Sequence, residues 1–352
     1  MLGYRKRSFA QAHAMLQTVR ANLGALQTLK ELQKLLLREI IRAEKKIREL
    51  KTELSTINGT ANRAVARRSS YLQSRIEGCR QCAYIWRCFG DAIAFLYMDR
   101  FALKHSFYST ENMNAKQDAG FIAGKQGLAD EIAVIESALE HDVPALLVDL
   151  TNTIRHGDVC LMGESDPHLI EVKLSTKLDA RGKKQKRRLE KLRTFYETDK
   201  GVGLRGFPEL RREAIEIPER AYVDQINGCI VEARKNGYAV RQPERGLHYI
   251  VVTGGVSHLK QAMGSLNLKA AASVFVLNQA KSDRTWAPYL PFVLTIEGKD
   301  DLWDFIQGNL FIVVLIEWDA LCQIVQHEGL MRQSLIRTIR IIRTLRPLDA
   351  AR

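Results

Sequence analysis

The sequence predicts a mixed α/β fold, of the α+β kind, preceded by a long helical, coiled-coil-like arm. Three observations predict it. In the Pro-free stretch from Ser8 to Ile57, Leu36, Ile40, Ala43, Ile47, Leu50, Leu54 and Ile57 recur at alternating spacings of four and three, which sets them on one seam of a helix. Beyond Lys125, short apolar and β-branched runs bounded by turn residues alternate with helical patterns. At 352 residues the chain exceeds one hydrophobic core, so two or three units are expected. Composition places them at 1–110 (helical arm), 120–255 (α/β core) and 256–352 (an α/β extension ending in a basic helix).

The helical period of 8–57 is interrupted by the breaker pair Asn58-Gly59 and resumes from Thr60 through Leu103, with Val65, Leu72 and Ile76 as apolar points. Two antiparallel helices would bury these seams against each other; a coiled-coil dimer would do so equally well. Gln126 to Glu140 reads as a helix with Leu128, Ile132, Ile135 and Leu139 on one stripe, closed by Pro144. Ala145–Leu150, Asp158–Gly163 and His168–Leu174 read as strands, the last two joined by the turn Glu164-Ser165-Asp166-Pro167. A basic helix from Asp179 to Thr198 and an alternating strand from Arg212 to Ile217 follow. Further on, the pattern gives a helix from Arg220 to Asn236, strands at Tyr238–Val240 and Leu247–Val252, and a helix from Leu266 to Lys281. A strand at Phe292–Ile296, a helix at Asp300–Gln307, a strand at Leu310–Trp318 and a helix at Asp319–Glu328 come next. The amphipathic basic run SLIRTIRIIRTLRPL, stopped by Pro347, reads as a last helix that packs its Ile/Leu stripe or touches a polyanion.

A net charge of +13 and an isoelectric point near 9.5 favour a polyanionic partner, nucleic acid or an anionic membrane surface. The basic start lacks a following apolar segment, and the six cysteines are scattered, so a reducing cytoplasm is expected. No stretch approaches the roughly 18 uninterrupted apolar residues of a spanning helix, so no membrane is expected. No G-x-x-x-x-G-K-[ST] occurs, which argues against an ATPase. Cys79, Cys82 and Cys88 invite a zinc reading, but no fourth ligand stands at suitable spacing, and small core residues on a helix account for them.

The window HGDVCLMGESDPHLIEVKLS, His156 to Ser175, carries the chemistry. Glu171 and Lys173 share one face of a strand, while Ile170, Val172 and Leu174 form an apolar opposite face. A turn centred between Ser165 and Asp166 would set Asp158 opposite Lys173 and Cys160 opposite Glu171. Asp158 and Glu171 then lie diagonally, roughly 7–8 Å apart at Cα, and can share a hard cation. A one-residue slip would separate them onto opposite faces. Next in the chain, Lys183, Lys184, Lys186, Arg187, Arg188 and Lys191 crowd one helix, a density suited to phosphates. The simpler alternatives are a solvated Glu–Lys pair on a strand and an ordinary basic helix.

A G-D at a strand start, an E-x-K thirteen residues on, a preceding helix and a following basic helix resemble the PD-(D/E)xK nuclease superfamily, with Gly157 in place of the proline. The resemblance covers about Gln126 to Ile217. It implies a restriction-endonuclease-like αβββαβ core with a mixed sheet between helices. It also implies Mg²⁺, with Mn²⁺ as an alternative, held by Asp158 and Glu171, with Lys173 beside the attacking water. A further carboxylate on the first helix would be Glu131, with Glu136 second, and a glutamine on the following helix would be Gln185. His156 stands close enough to meet substrate or to cap a turn. The implied activity is hydrolysis of DNA phosphodiesters, with duplex DNA as partner, in restriction, repair or anti-phage defence. The N-terminal helices would join a second copy or a partner protein. The rival expectations are a non-cleaving nucleic-acid-binding module and a coiled-coil scaffold.

Overall fold

The computed structural model describes residues 5–57, 63–117, 120–172, 180–213, 221–253, 255–266, 268 and 271–327. The chain divides into two compact units, Met1–Arg220 with Ala280–Leu302, and Ala221–Gln279 with Trp303–Arg352. The helical stretch expected as a separate arm therefore belongs to the same unit as the motif hairpin. Residues 221–255, expected with the core, belong to the other unit.

In the first unit, α1 spans Lys6–Ala21, α2 Leu26–Thr56, α3 Arg63–Tyr97 and α4 Arg100–Phe107. The expected continuous helix from Ser8 is broken after Ala21, where Asn22 Oδ1 accepts the Gly24 N–H at 2.9 Å in a side-chain-closed turn. The second expected helix is likewise divided at Asp99, whose extended backbone and side chain cap α4 through the Ala102 N–H at 2.8 Å. The breaker pair Asn58-Gly59 lies outside the described residues.

α2 and α3 run antiparallel, since Glu53 pairs with Arg68 while Glu44 pairs with Arg87. Ile47 and Leu50 pack on Leu72, Ile76 and Cys79, with Leu54 and Ile57 beside them. Each fully buried aliphatic side chain contributes about 1.5–3 kcal/mol, so this seam contributes substantially to holding the two helices together. Of the two ways to bury the seam, the chain uses the intramolecular one between α2 and α3. Further along, Phe9, Leu29, Leu32, Leu36, Trp86 and Phe89 are fully buried, with Phe9 edge-on to Phe89 at 5.6 Å.

Next come α5 (Leu128–Glu140), β1 (Ala145–Leu147), a 3₁₀ turn (Val148–Leu150), β2 (Val159–Leu161), β3 (His168–Ile170), α6 (Ala180–Thr198), β4 (Lys200–Leu204) and β5 (Phe207–Arg211). From α5 to β4 a helix, three strands, a helix and a strand are present in order, with β4 where Arg212–Ile217 was expected. The expected mixed sheet is not: every pairing among the described residues is antiparallel, and β4 pairs with β5 rather than joining the β1–β2–β3 sheet. The hairpin β4–β5 was not foreseen. It closes through Arg205-Gly206, both at positive φ (58° and 82°), the geometry of a two-residue turn that matches strand twist. The expected strand Arg212–Ile217 lies largely outside the described residues.

The second unit contains α7 (Val223–Asn236), β6 (Tyr238–Glu244), β7 (Leu247–Val252), α8 (Val256–Gly264), β8 (Ala272–Val276) and β9 (Phe311–Glu317). Its sheet is antiparallel in the order β6-β7-β9-β8, with Ile250, Val252, Val313 and Leu315 buried on Ala262 of α8. Two expectations are corrected. The helix expected over Leu266–Lys281 contains β8, because Val274 and Phe275 find partners across the sheet on Leu315 and Val314, and pairing overrides local preference. In the first unit, the strand expected at Phe292–Ile296 is a short helix, Phe292–Thr295, begun by Pro291, whose carbonyl accepts the Leu294 N–H. The C-terminal basic helix lies outside the described residues. Among the described residues no helix is long and apolar enough to cross a membrane.

Candidate functional site

β2 and β3 pair with Val159 opposite Ile170, Cys160 opposite Leu169 and Leu161 opposite His168. The pairing is displaced by two residues from the expected one, so Cys160 does not face Glu171. A displacement of two preserves the alternation of faces, and Asp158 and Glu171 remain together. Backbone bonds fix them: the Asp158 N–H donates to Ile170 O at 2.8 Å, and Asp158 Oδ2 accepts the Val172 N–H at 3.0 Å. Gly157 enters the strand at φ 78°, and a Cβ there would stand 2.9 Å from Ile170 O. Proline, locked near φ −65°, has no access to that conformation, which explains glycine in the first position of the motif.

Asp158 and Glu171 line a cleft of about 740 Å³ together with Asp149, Lys125, Lys116, Gln185, Lys184 and Arg188. The focal group is one the motif did not indicate. Lys125 Nζ lies 2.7 Å from Asp149 Oδ2, 2.9 Å from Glu131 Oε1 and 3.1 Å from Asp158 Oδ1. Glu131 comes from the first turn of α5, Asp149 from the 3₁₀ turn after β1, and Asp158 from the entry to β2. Burial alone would lower the Lys125 pKa; the three carboxylates outweigh it and raise it above the ordinary lysine value. Glu131, 3% exposed, is raised chiefly by burial, opposed by the Lys125 ammonium.

Helices distant in sequence hold these pieces. Glu44 on α2, almost fully buried, accepts the Ala123 N–H at 2.9 Å, two residues before Lys125, and pairs with Arg87 at 2.8 Å. Arg87 Nε then donates to the Asp149 carbonyl at 3.0 Å. Gln33 brackets β1 by donating to Ala145 O and accepting from Leu147 N–H. Asp91 on α3 accepts from the backbone of Asn152 and Thr153, each at 2.8 Å, and fixes the loop before His156. Gly90 permits the approach, since a Cβ there would meet Leu150 O at 1.9 Å.

The other expected residues are distributed as follows. Gln185 lines the cleft. Glu136 is at the surface, paired with Lys30 at 2.8 Å, and stands outside the cleft lining. Lys184 and Arg188 reach the cleft and also pair with Glu111, at 3.5 and 2.9 Å. Lys183, Lys186, Arg187 and Lys191 are not among the residues lining the cleft; Lys186 pairs with Glu190, and Lys191 donates to Gly203 O. Lys173 lies outside the described residues. His156 is buried, and its Nε2 lies 2.9 Å from Tyr108 O. Burial, then the nearby Lys116 charge, lowers its pKa to about 3, so it is neutral and donates to that carbonyl. It lines the cleft, with Nε2 tied to that carbonyl. Cys79 sits in the α2–α3 seam, as a core residue.

Carboxylate oxygens alone form this donor set, the chemistry of a hard cation such as Mg²⁺. One ammonium against three carboxylates leaves the cluster negative. Among the described residues no three Asp, Glu, His or Cys side chains are arranged to hold a metal ion, and three of the carboxylates close on Lys125. By donor type alone, Asp158 and Glu171 suit a hard cation. The chain matches no protein-family model, no curated protein and no solved structure.

Proposed function

We propose that the chain is a metal-dependent nuclease of the PD-(D/E)xK kind, hydrolysing phosphodiester bonds of DNA in this cleft. The observation that carries the proposal is the juxtaposition of Asp158 and Glu171 at adjacent strand ends, with Asp149 and Glu131 converging beside them on Lys125. Bound Mg²⁺ would polarise the phosphate and lower the pKa of a coordinated water. The chain's residues supply the rest. Asp158 and Glu171 would hold the cation. Lys125 keeps the three carboxylates from repelling one another apart. Lys184, Arg188 and Lys116 bring positive charge to the rim, where a phosphate backbone would lie. Gln185 offers an amide to substrate or water.

The test is incubation of wild type, Asp158→Asn and Lys173→Ala with duplex and single-stranded DNA, in Mg²⁺ or EDTA. Wild type should cut in Mg²⁺ alone, and Asp158→Asn should cut about a hundredfold more slowly or worse, as for other charge-stabilising groups. Equal cutting by wild type and Asp158→Asn would reject the assignment.

One observation favours a second reading, a nucleic-acid-binding module that does not cut: Lys125 already fills the point where three carboxylates meet. Salt-dependent DNA binding without cleavage in Mg²⁺ or Mn²⁺ would select it.

A further inference from the structure

We propose that a second cleft, on the helical face of the first unit, is a binding site for a small phosphate ester of nucleotide size, separate from the carboxylate cleft. This cleft has a volume of about 860 Å³ and shares no lining residue with the other. Six cations line it, Arg5, Arg38, Arg42, Lys45, Lys46 and Arg75, against two carboxylates, Glu39 and Glu49.

Structural neutralisation does not account for that excess. Glu39, with its side chain 1% exposed, is met by Arg42 at 3.1 Å, Arg5 at 3.3 Å and Arg38 at 3.6 Å. One carboxylate cannot occupy three guanidinium groups, each with five N–H donors. Lys46 is paired with Glu49 at 2.8 Å. Arg75 donates from Nη1 to Tyr71 Oη at 2.8 Å, while its Nε is buried with no hydrogen-bond acceptor. Tyr71 takes one of the five N–H donors of this guanidinium.

The remaining wall selects the kind of anion. Ile41, Ala43, Cys79 and Cys82 add an apolar lining. Burial pushes the Cys82 thiol up to about 11 and raises Cys79 as well, so neither contributes negative charge at neutral pH. Arginine forks match phosphate oxygens in bidentate geometry, and the apolar wall would take a flat ring. The volume falls in the range of small-molecule sites, about 300–1,000 Å³.

Calorimetric titration of the full chain with ADP, pyrophosphate and adenosine tests the proposal. ADP should bind saturably at physiological ionic strength, pyrophosphate more weakly, and uncharged adenosine not measurably. Lys45→Gln combined with Arg75→Gln should weaken ADP binding by about tenfold or more, the worth of one charge-assisted hydrogen bond. Lys45 is exposed, so Lys45→Glu alone supplies a variant that folds and should also weaken binding. Asp158→Asn and Lys184→Gln should leave ADP binding unchanged. Absence of saturable binding to wild type, undiminished binding in the double variant, or loss on Lys184→Gln instead would overturn the proposal.

Discussion

Arg87 on α3 donates to Glu44 on α2 at 2.8 Å, and the two residues hold two neighbouring pieces of the carboxylate cleft. Glu44 holds the loop of Lys125 through the Ala123 N–H, and Arg87 holds the Asp149 carbonyl. The helices are thus the mount of the site rather than an appendage. Replacing Glu44 by Gln should cost about 3–5 kcal/mol, because Arg87 then loses its carboxylate partner in a buried setting. Chemical denaturation of Glu44→Gln, Arg87→Met and the double variant checks this: the double should be less destabilised than the two losses added together.

Lys125→Met should destabilise the first unit by about 3 kcal/mol, since it leaves three clustered carboxylates without their common cation. Adding Asp149→Asn should recover part of the loss by removing one of the repelling charges. Thermal melts of the single and double variants decide it; a double variant no more stable than Lys125→Met would show that the ammonium does not hold the cluster.

Gly157→Ala should destabilise by about 1–3 kcal/mol, from positive φ and the approach to Ile170 O. Gly157→Pro should be worse, although it restores the more usual first residue of the motif. If the proline variant melted at the wild-type temperature, the strand entry would have to differ from the one described.

His105 gives a pH dependence. Burial, then the charge of Arg205, lowers its pKa to about 4, and its Nδ1 accepts from Arg205 Nη1 at 2.8 Å. The unfolded chain binds the proton near pH 6.5, the folded chain only near 4, so between these values the unfolded state holds more protons. Stability from this residue is therefore complete above about pH 6.5 and is lost as pH falls toward 4, by about 3 kcal/mol at most. His105→Asn retains an acceptor but does not titrate, and its stability curve should be flatter over that window. Parallel curves for the two proteins would remove His105 as the cause.

That Asp158 and Glu171 line one cleft was legible in the sequence from strand alternation, whereas Glu131 and Gln185 were singled out only through the family resemblance. Asp149 carried a faint signal, an acid at the end of the apolar run Ala145–Leu150. Lys125 carried none, lying between Gly124 and Gln126 in a loop with no periodic pattern. Its role depends on Glu44, on a helix eighty residues earlier. The two-residue displacement of the hairpin was also hidden, since turn residues from Glu164 to Pro167 permit more than one pairing of the same faces.

The sequence by itself determined that the long N-terminal stretches are helical, that a Pro-free apolar seam must be buried, and that Asp158 and Glu171 come to one cleft. These follow from the periods of 3.6 and 2, which are properties of a local backbone. Tertiary structure decided that the seam closes within the chain and that residues 272–276 form a strand. It also decided that an ammonium from an unpatterned loop gathers three carboxylates. Those outcomes depend on which surfaces meet and which buried charges must be neutralised, and neither is encoded in the spacing of neighbouring residues.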